Sequence, residues 1–186
     1  MKRAIDVVLA TASTALLLPV AAATALAVKL TSPGPVLYWS DRVGRDGRIF
    51  RMPKFRTMKT DTPAVATHLM VDAATALTPI GGFLRRTSLD EIPQLWSVFI
   101  GNMSVVGPRP ALFNQHDLIE MRQQQGVDTL RPGITGWAQI NGRDELPIPV
   151  KVAFDREYLE RQSVMFDLRI ILKTAGKLLG DKSVMH

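Results

Sequence analysis

The stretch Val7-Val8-Leu9-Ala10-Thr11-Ala12-Ser13-Thr14-Ala15-Leu16-Leu17-Leu18-Pro19-Val20-Ala21-Ala22-Ala23-Thr24-Ala25-Leu26-Ala27-Val28 holds 22 residues and no charge, and its reading decides the fold. As one straight helix it would extend about 33 Å, close to the roughly 30 Å of a hydrocarbon core. Three readings compete. A cleaved signal peptide accounts for Lys2, Arg3, the apolar run and the small residues Ala25-Leu26-Ala27, but Asp6 stands at its head and no disulfide framework follows. A spanning helix puts Lys2 and Arg3 on one side and a strongly basic region on the other, against the preference of Lys and Arg for the cytoplasm. Entry and exit through one face reconcile the two flanks. Pro19 makes that turn plausible, because a mid-helix proline removes a hydrogen bond and clashes with the preceding turn, costing about 3 kcal/mol. Two arms result, Val7–Leu18 and Val20–Val28, each too short to cross alone. A kinked spanning helix is the competitor, since membrane helices tolerate proline. Flanks and proline together favour a re-entrant segment over residues 1–30, broken at Pro19.

Moving outward, Ser32-Pro33-Gly34-Pro35 cannot continue a helix and reads as the turn where a second part, residues 31–186, begins. Between Lys29 and Thr60 lie eight basic residues against Asp41 and Asp46, so this stretch accounts for the whole formal charge of +6. Such a cluster attracts phosphate, whether on nucleic acid, nucleotide or anionic lipid, although a solvated basic face would look the same. The chain of 186 residues is one domain's worth, and 46% hydrophobic residues suffice for a core. It contains no cysteine, which excludes thiolate zinc sites, iron–sulfur clusters, disulfides and cysteine nucleophiles. His68, His116 and His186 lie far apart, so a metal would rest on carboxylates, which suits magnesium better than zinc.

The remaining pattern predicts an α+β fold, mostly helical. Val36–Trp39 and Ile49–Met52 are short β-favouring runs flanking Asp46-Gly47, a dipeptide suited to a tight hairpin. Asp61–Thr75 reads as loop with a weak helix. Helical patterns follow over Gly81–Arg86, Glu91–Ile100, Ala111–Gln125 and Lys151–Arg161. The last, Phe166–Leu179, sets Phe166, Ile170, Ile171, Leu178 and Leu179 against Arg169, Lys173 and Lys177. It fits either a surface helix covering a core or an interfacial helix lying on a membrane.

The chemistry concentrates in Arg85-Arg86-Thr87-Ser88-Leu89-Asp90-Glu91-Ile92-Pro93. Ser88-x-x-Glu91 fits a capping box, a purely structural use. With Ser88 as N-cap, however, Pro93 falls at the fifth helical residue, whereas with Asp90 as N-cap it sits in the tolerant first turn. The pattern therefore favours Asp90 at a helix start, where a carboxylate stays ionised at a natural phosphate position. An ionised Asp is a competent nucleophile toward phosphorus, provided arginines and a divalent cation neutralise the approaching diphosphate. In Gly107-Pro108-Arg109-Pro110 the prolines stiffen the backbone carrying Arg109, suited to clamping a phosphate, although a plain proline turn reads the same. In Arg131-Pro132-Gly133-Ile134-Thr135-Gly136-Trp137-Ala138-Gln139-Ile140-Asn141-Gly142-Arg143, the glycines permit tight turns and Arg131, Gln139, Asn141 and Arg143 offer polar contacts.

Taken in order, Ser32–Val36, Lys54-Phe55-Arg56-Thr57-Met58, Leu84–Leu95, Met103–Pro110 and Arg131–Arg143 resemble the bacterial sugar transferase family, the small monotopic phosphoglycosyl transferases. The resemblance covers nearly the whole chain. It implies an enzyme at the cytoplasmic face of a bacterial inner membrane, both termini cytoplasmic, with a re-entrant broken helix and amphipathic interfacial helices around a catalytic domain. The implied reaction moves a sugar 1-phosphate from a UDP-sugar to polyprenyl (undecaprenyl) phosphate with release of UMP, initiating glycoconjugate or polysaccharide synthesis. Asp90 matches the family nucleophile that carries the covalent phosphosugar, and Glu91 its partner in a dyad associated with Mg2+. Lys54, Arg86 and Arg109 match the basic positions around the phosphates, and Arg131, Gln139, Asn141 and Arg143 the nucleotide-sugar pocket. Partners implied are the UDP-sugar, polyprenyl phosphate and membrane lipids, with no nucleic acid, and a homodimer is left open. Leu18-Pro19 stands where the family usually has Ser-Pro, and Ile100 and Asn102 stand where it typically carries Lys and Asp. The rival class is a non-catalytic basic protein that binds membranes or polyanions through its charge alone.

Overall fold

The computed structural model describes residues 1–62, 75–142 and 146–180. Most of the expected Asp61–Thr75 segment, and Arg143, lie outside the described residues. The chain opens with one helix, α1 (Lys2–Thr31), which contains Pro19. The expected break is thus a proline within a continuous helix, which starts five residues earlier and ends three later than the uncharged stretch. Ala- and Leu-rich flanks are good helix formers, and one lost hydrogen bond does not end such a run.

Both ends of α1 are fastened to the rest of the molecule. At its start, the Lys2 ammonium donates to Val106 O (3.1 Å) and pairs with Asp167 (2.6 Å). The Arg3 guanidinium donates to Val98 O and Phe99 O (2.6 and 2.8 Å), the last carbonyls of a helix, where a cation is favoured. Asp6 is buried and accepts from the Ser104 hydroxyl (2.9 Å) and the Val105 N–H (3.1 Å). At its end, Val28 is fully buried against Phe55 and Leu84, and Arg56 donates to both Ser32 O and Ser32 Oγ at 2.9 Å. Between these attachments Leu16 and Leu18 are 78% and 62% exposed, a degree that marks apolar surface left for something outside the chain.

The hairpin forms where expected. Strands β1 (Leu37–Val43) and β2 (Ile49–Phe55) pair antiparallel, but the connection is longer than a two-residue turn: it runs from Gly44 to Arg48 through a 3-10 turn in which Asp46 (φ 56°) and Gly47 (φ 73°) adopt left-handed backbone. Phe50, Met52 and Lys54 lie on one face of β2, the face turned to the core, which aims the Lys54 ammonium inward. Helix α2 (Gly81–Arg86) coincides with its predicted range. The Glu91–Ile100 helix is instead two pieces, a 3-10 segment Leu89–Gln94 and α3 (Leu95–Phe99).

The second half is built on a short parallel pair, β3 (Ser104–Val106) with β4 (Gly133–Thr135). Helix α4 (His116–Gln124) lies in the crossover, and α5 (Trp137–Ile140), α6 (Ile148–Arg161) and α7 (Val164–Gly180) follow. Val106, Val127, Leu130, Ile140, Tyr158, Phe166 and Ile170 form the core here. Phe166 and Ile170 thus make α7 a core-covering helix, while Met165 and Leu172, on another face, are exposed.

Asp6 is the residue on which the first attachment of α1 turns, because its removal strands a buried hydroxyl and a backbone N–H. Asp6→Ala should cost about 2–4 kcal/mol, read as a drop of roughly 5–10 °C in the thermal midpoint of the detergent-solubilised chain. Ser104→Ala added to it should cost little more, since the two lose the same bond.

Candidate active site

The turn carrying the acids is set by Ser88, which adopts φ 56° and ψ 18°, an uncommon conformation for a non-glycine residue. Ser88, not Asp90, occupies the N-cap, and its side chain makes no capping bond, so the capping box is not formed either. The reason is the 3-10 winding, which bonds each N–H three residues back, as Glu91 N–H does to Ser88 O (3.1 Å). Pro93 therefore interrupts a short 3-10 turn rather than an α-helix. A six-residue turn supplies little dipole, and the positive charge around the acids comes from side chains.

Three elements deliver that charge. Lys54 on β2 bonds Glu91 Oε1 at 2.8 Å and stands 3.7 Å from Asp90 Oδ2. Arg109 reaches the same Glu91 Oε1 at 3.2 Å. Arg85, at the end of α2, donates to Thr57 Oγ1 at 3.0 Å and is close enough to Asp90 to act on its charge. Asp90 itself is buried.

The two carboxyls are driven apart. Burial raises the Asp90 pKa above its ordinary value, and the adjacent Glu91 charge adds to this, against the opposing pull of Lys54, Arg85 and Arg109. Burial works against the Glu91 charge as well, but Lys54 and Arg109, both bonded to it, hold it well below the usual carboxylate range. Burial lowers Arg85, and the Asp90 charge partly restores it. Glu91 is thus a fixed anion that gathers two cations, while Asp90 is the less stabilised of the two carboxylates.

Arg86 is placed differently from its expected role. Successive residues of a helix point about 100° apart, and here Arg85 turns in while Arg86 is exposed. The pairing Arg85-Arg86 was visible in the sequence; which of the two faces Asp90 depends on how α2 packs. Arg131 donates to Gly101 O (3.0 Å), Gln139 to Ile134 O (3.0 Å) and Asn141 to Trp137 O (2.8 Å), and no contact joins these three to the acids among the described residues. Gly133 and Gly136 of this stretch, with Gly107, serve close approach rather than turning. A Cβ on Gly107, Gly133 or Gly136 would meet backbone atoms at 2.3, 2.1 and 2.1 Å, and none of the three has a positive φ.

A magnesium ion was expected at the acids. Among the described residues no group of three or more His, Cys, Asp or Glu converges. Two adjacent carboxylates remain, with oxygen donors only, which fits an ion that completes its shell with water and substrate phosphate.

Residues 1–181 match the family described as Bacterial sugar transferase. Over 98% of its length the chain is 44% identical to the UDP-glucose:undecaprenyl-phosphate glucose-1-phosphate transferase of Escherichia coli (strain K12), covering 41% of that protein. Over 96% of its length it is 40% identical to a Caulobacter vibrioides protein of the same name, covering 69% of it. It is also 34% identical, over 96% of its length, to the UDP-N-acetylgalactosamine-undecaprenyl-phosphate N-acetylgalactosaminephosphotransferase of Aeromonas hydrophila, covering 44% of it. The chain thus spans about two fifths of the length of the Escherichia and Aeromonas relatives. With the match running from its first residue through the end of α7, the chain belongs to the bacterial sugar transferase family.

Proposed function

We propose that this chain transfers a sugar 1-phosphate from a UDP-sugar to polyprenyl phosphate, with Asp90 as a covalent relay. The observation that carries the proposal is the buried Asp90 beside an ionised Glu91, with Lys54, Arg85 and Arg109 delivered by three separate elements. In the first step an Asp90 carboxylate oxygen attacks the sugar-proximal phosphorus. The bond from that phosphorus to the bridging oxygen breaks, and UMP leaves with the electron pair. In the second, a polyprenyl phosphate oxygen attacks the same phosphorus, the acyl-phosphate bond breaks, and the Asp90 carboxylate is restored. Lys54, Arg85 and Arg109 offset the charge of an anion approaching a diphosphate. Glu91, held ionised, gives no proton to the leaving UMP, which needs none near neutral pH because a phosphate monoester titrates near 6. Asp90 and Glu91 would hold Mg2+, which supplies further charge neutralisation on the diphosphate when bound.

The acceptor is a lipid, and the reading places this chain on the cytoplasmic face of the bacterial inner membrane, entering and leaving by that face. It is supported by the attachment of both ends of α1 to one body. A helix crossing a bilayer would carry Lys2 and Ser32 to opposite sides, yet Val98 and Ser104, bonded near its start, and Phe55 and Leu84, packed at its end, belong to the same structure.

Asp90→Asn should abolish UMP release and the phosphosugar adduct detected by intact-protein mass spectrometry. It should also leave the thermal midpoint equal or higher, because the buried charge it removes is disfavoured in the fold. Undiminished turnover would refute the relay. The acid limb of kcat/KM should lie above the ordinary Asp value of 3.8, since Asp90 must lose its proton to attack. Lys54→Met should move that limb to higher pH and Glu91→Gln to lower pH, because the cation favours the Asp90 charge and the neighbouring anion opposes it. Movement in the same direction would contradict the assignment. For topology, the chain's lack of cysteine makes single-site labelling clean. Ala4→Cys and Thr31→Cys should both resist an impermeant maleimide in spheroplasts and both react in inside-out vesicles; opposite behaviour would mean a spanning helix.

A further inference from the structure

The segment that presents Arg109 has an unusual support. Pro108 and Pro110 carry no N–H, so the backbone on either side of Arg109 can be held only through its carbonyls. Three elements take them. Pro108 O accepts from Gly133 N–H of β4 (2.9 Å), Arg109 O from Arg122 Nη1 of α4 (2.9 Å), Pro110 O from Arg42 Nη1 of β1 (3.1 Å) and Ala111 O from Val43 N–H (3.0 Å). Gly107 N–H closes the series by donating to Thr135 O (2.9 Å).

The bond to Arg109 O is itself locked from behind. Arg122 Nε and Nη2 both bond Asp155 Oδ2, at 3.0 and 2.6 Å, which leaves Nη1 as the arm that reaches Arg109. Both side chains are deeply buried, with 10% and 2% exposure. An ion pair buried this far adds little net stability over apolar residues of similar shape, so its value lies in geometry. The planar guanidinium supplies that geometry, because one rigid fork can grip a carboxylate on one edge and a carbonyl on the other.

We infer that Arg122, locked by Asp155, is a positioning residue for Arg109: it fixes the backbone from which the Arg109 guanidinium meets Glu91 and the substrate phosphates. This rests on the transferase reading. Arg122 touches no reacting atom, and its effect passes through the Arg109 carbonyl.

Arg122→Lys separates the two bonds, since a single ammonium keeps the charge opposite Asp155 but cannot also hold Arg109 O in the same plane. Its rate of UMP release should fall about 10–100-fold, while its thermal midpoint drops by about 2–10 °C and the chain still folds. In a cycle with Arg109→Lys, the double variant should be no more than about 2-fold slower than Arg109→Lys alone, because positioning has no value once the positioned group is gone. A wild-type rate in Arg122→Lys, or losses that multiply, overturns the proposal. If Arg122→Lys does not fold, the same cycle is run with Arg42→Lys at Pro110 O, and multiplying losses there overturn it equally. Hydrogen exchange separates this inference from the transferase reading. Should the wild-type chain release no UMP, that reading fails alone, and the clamp is judged on the amides of Gly133 and Val43. Exchange at these should quicken about 10-fold in Arg122→Lys; unchanged exchange overturns the clamp.

Discussion

One carboxylate organises the site. Glu91 Oε1 accepts from Lys54 and Arg109 together, so β2, the Leu89–Gln94 turn and the Gly107–Pro110 segment meet at a single oxygen. Remove that anion and two half-buried cations face each other across the space it now fills. Its presence also decides the state of its neighbour. With Lys54 2.8 Å from Glu91 and 3.7 Å from Asp90, and Arg109 bonded to Glu91 as well, the stabilisation goes mainly to Glu91, and Asp90 keeps the higher proton affinity that burial imposes. A carboxylate less satisfied by its surroundings is the better nucleophile, and one already saturated with donors is the better scaffold.

Much of this could be read from sequence where the determinants are local. Asp46-Gly47 announces its hairpin because both residues tolerate the left-handed backbone, and Asp90, Glu91, Lys54 and Arg109 are conspicuous as charges within stiff or periodic segments. Features set by distant contacts were not legible. The choice of Arg85 over Arg86 follows from the packing of α2, and the role of Gly107, Gly133 and Gly136 from the approach of two backbone segments distant in sequence. Arg122 and Asp155 are 33 residues apart on α4 and α6 and carry no local signal. The turn at Ser88 escapes a local reading for a subtler reason. Counting from an α-helical frame made Pro93 forbid a Ser88 cap, whereas the 3-10 frame that the chain adopts accommodates both.

Pro19 illustrates the same limit from the other side. Its stereochemistry argues for a break, and a count of apolar residues argues for a span, yet neither addresses where the helix ends are held. Those ends are fixed by polar contacts: Lys2, Arg3 and Asp6 at one, Ser32 with Arg56 at the other. Each polar anchor draws its end of α1 down to the body, leaving the apolar middle to find its own surroundings.

The far half of α1 and the turn carrying the two acids are physically joined. The far half of α1, through Ala21, Ala25 and Val28, packs with Leu84, Leu89 and Ile92, residues that bracket Arg85 and Asp90. On the proposed reaction, this contact gives the two substrates separate approaches. Exposed Phe83, Trp96 and Ile100 extend the apolar surface beside the turn, whereas the charge that attracts a nucleotide diphosphate lies on β2 and the Arg109 segment. On that reading a lipid-linked phosphate would come from the α1 side and a soluble sugar nucleotide from the hairpin side. Asp90, placed at the seam, would on the same reading hold its cargo only for the interval between the two.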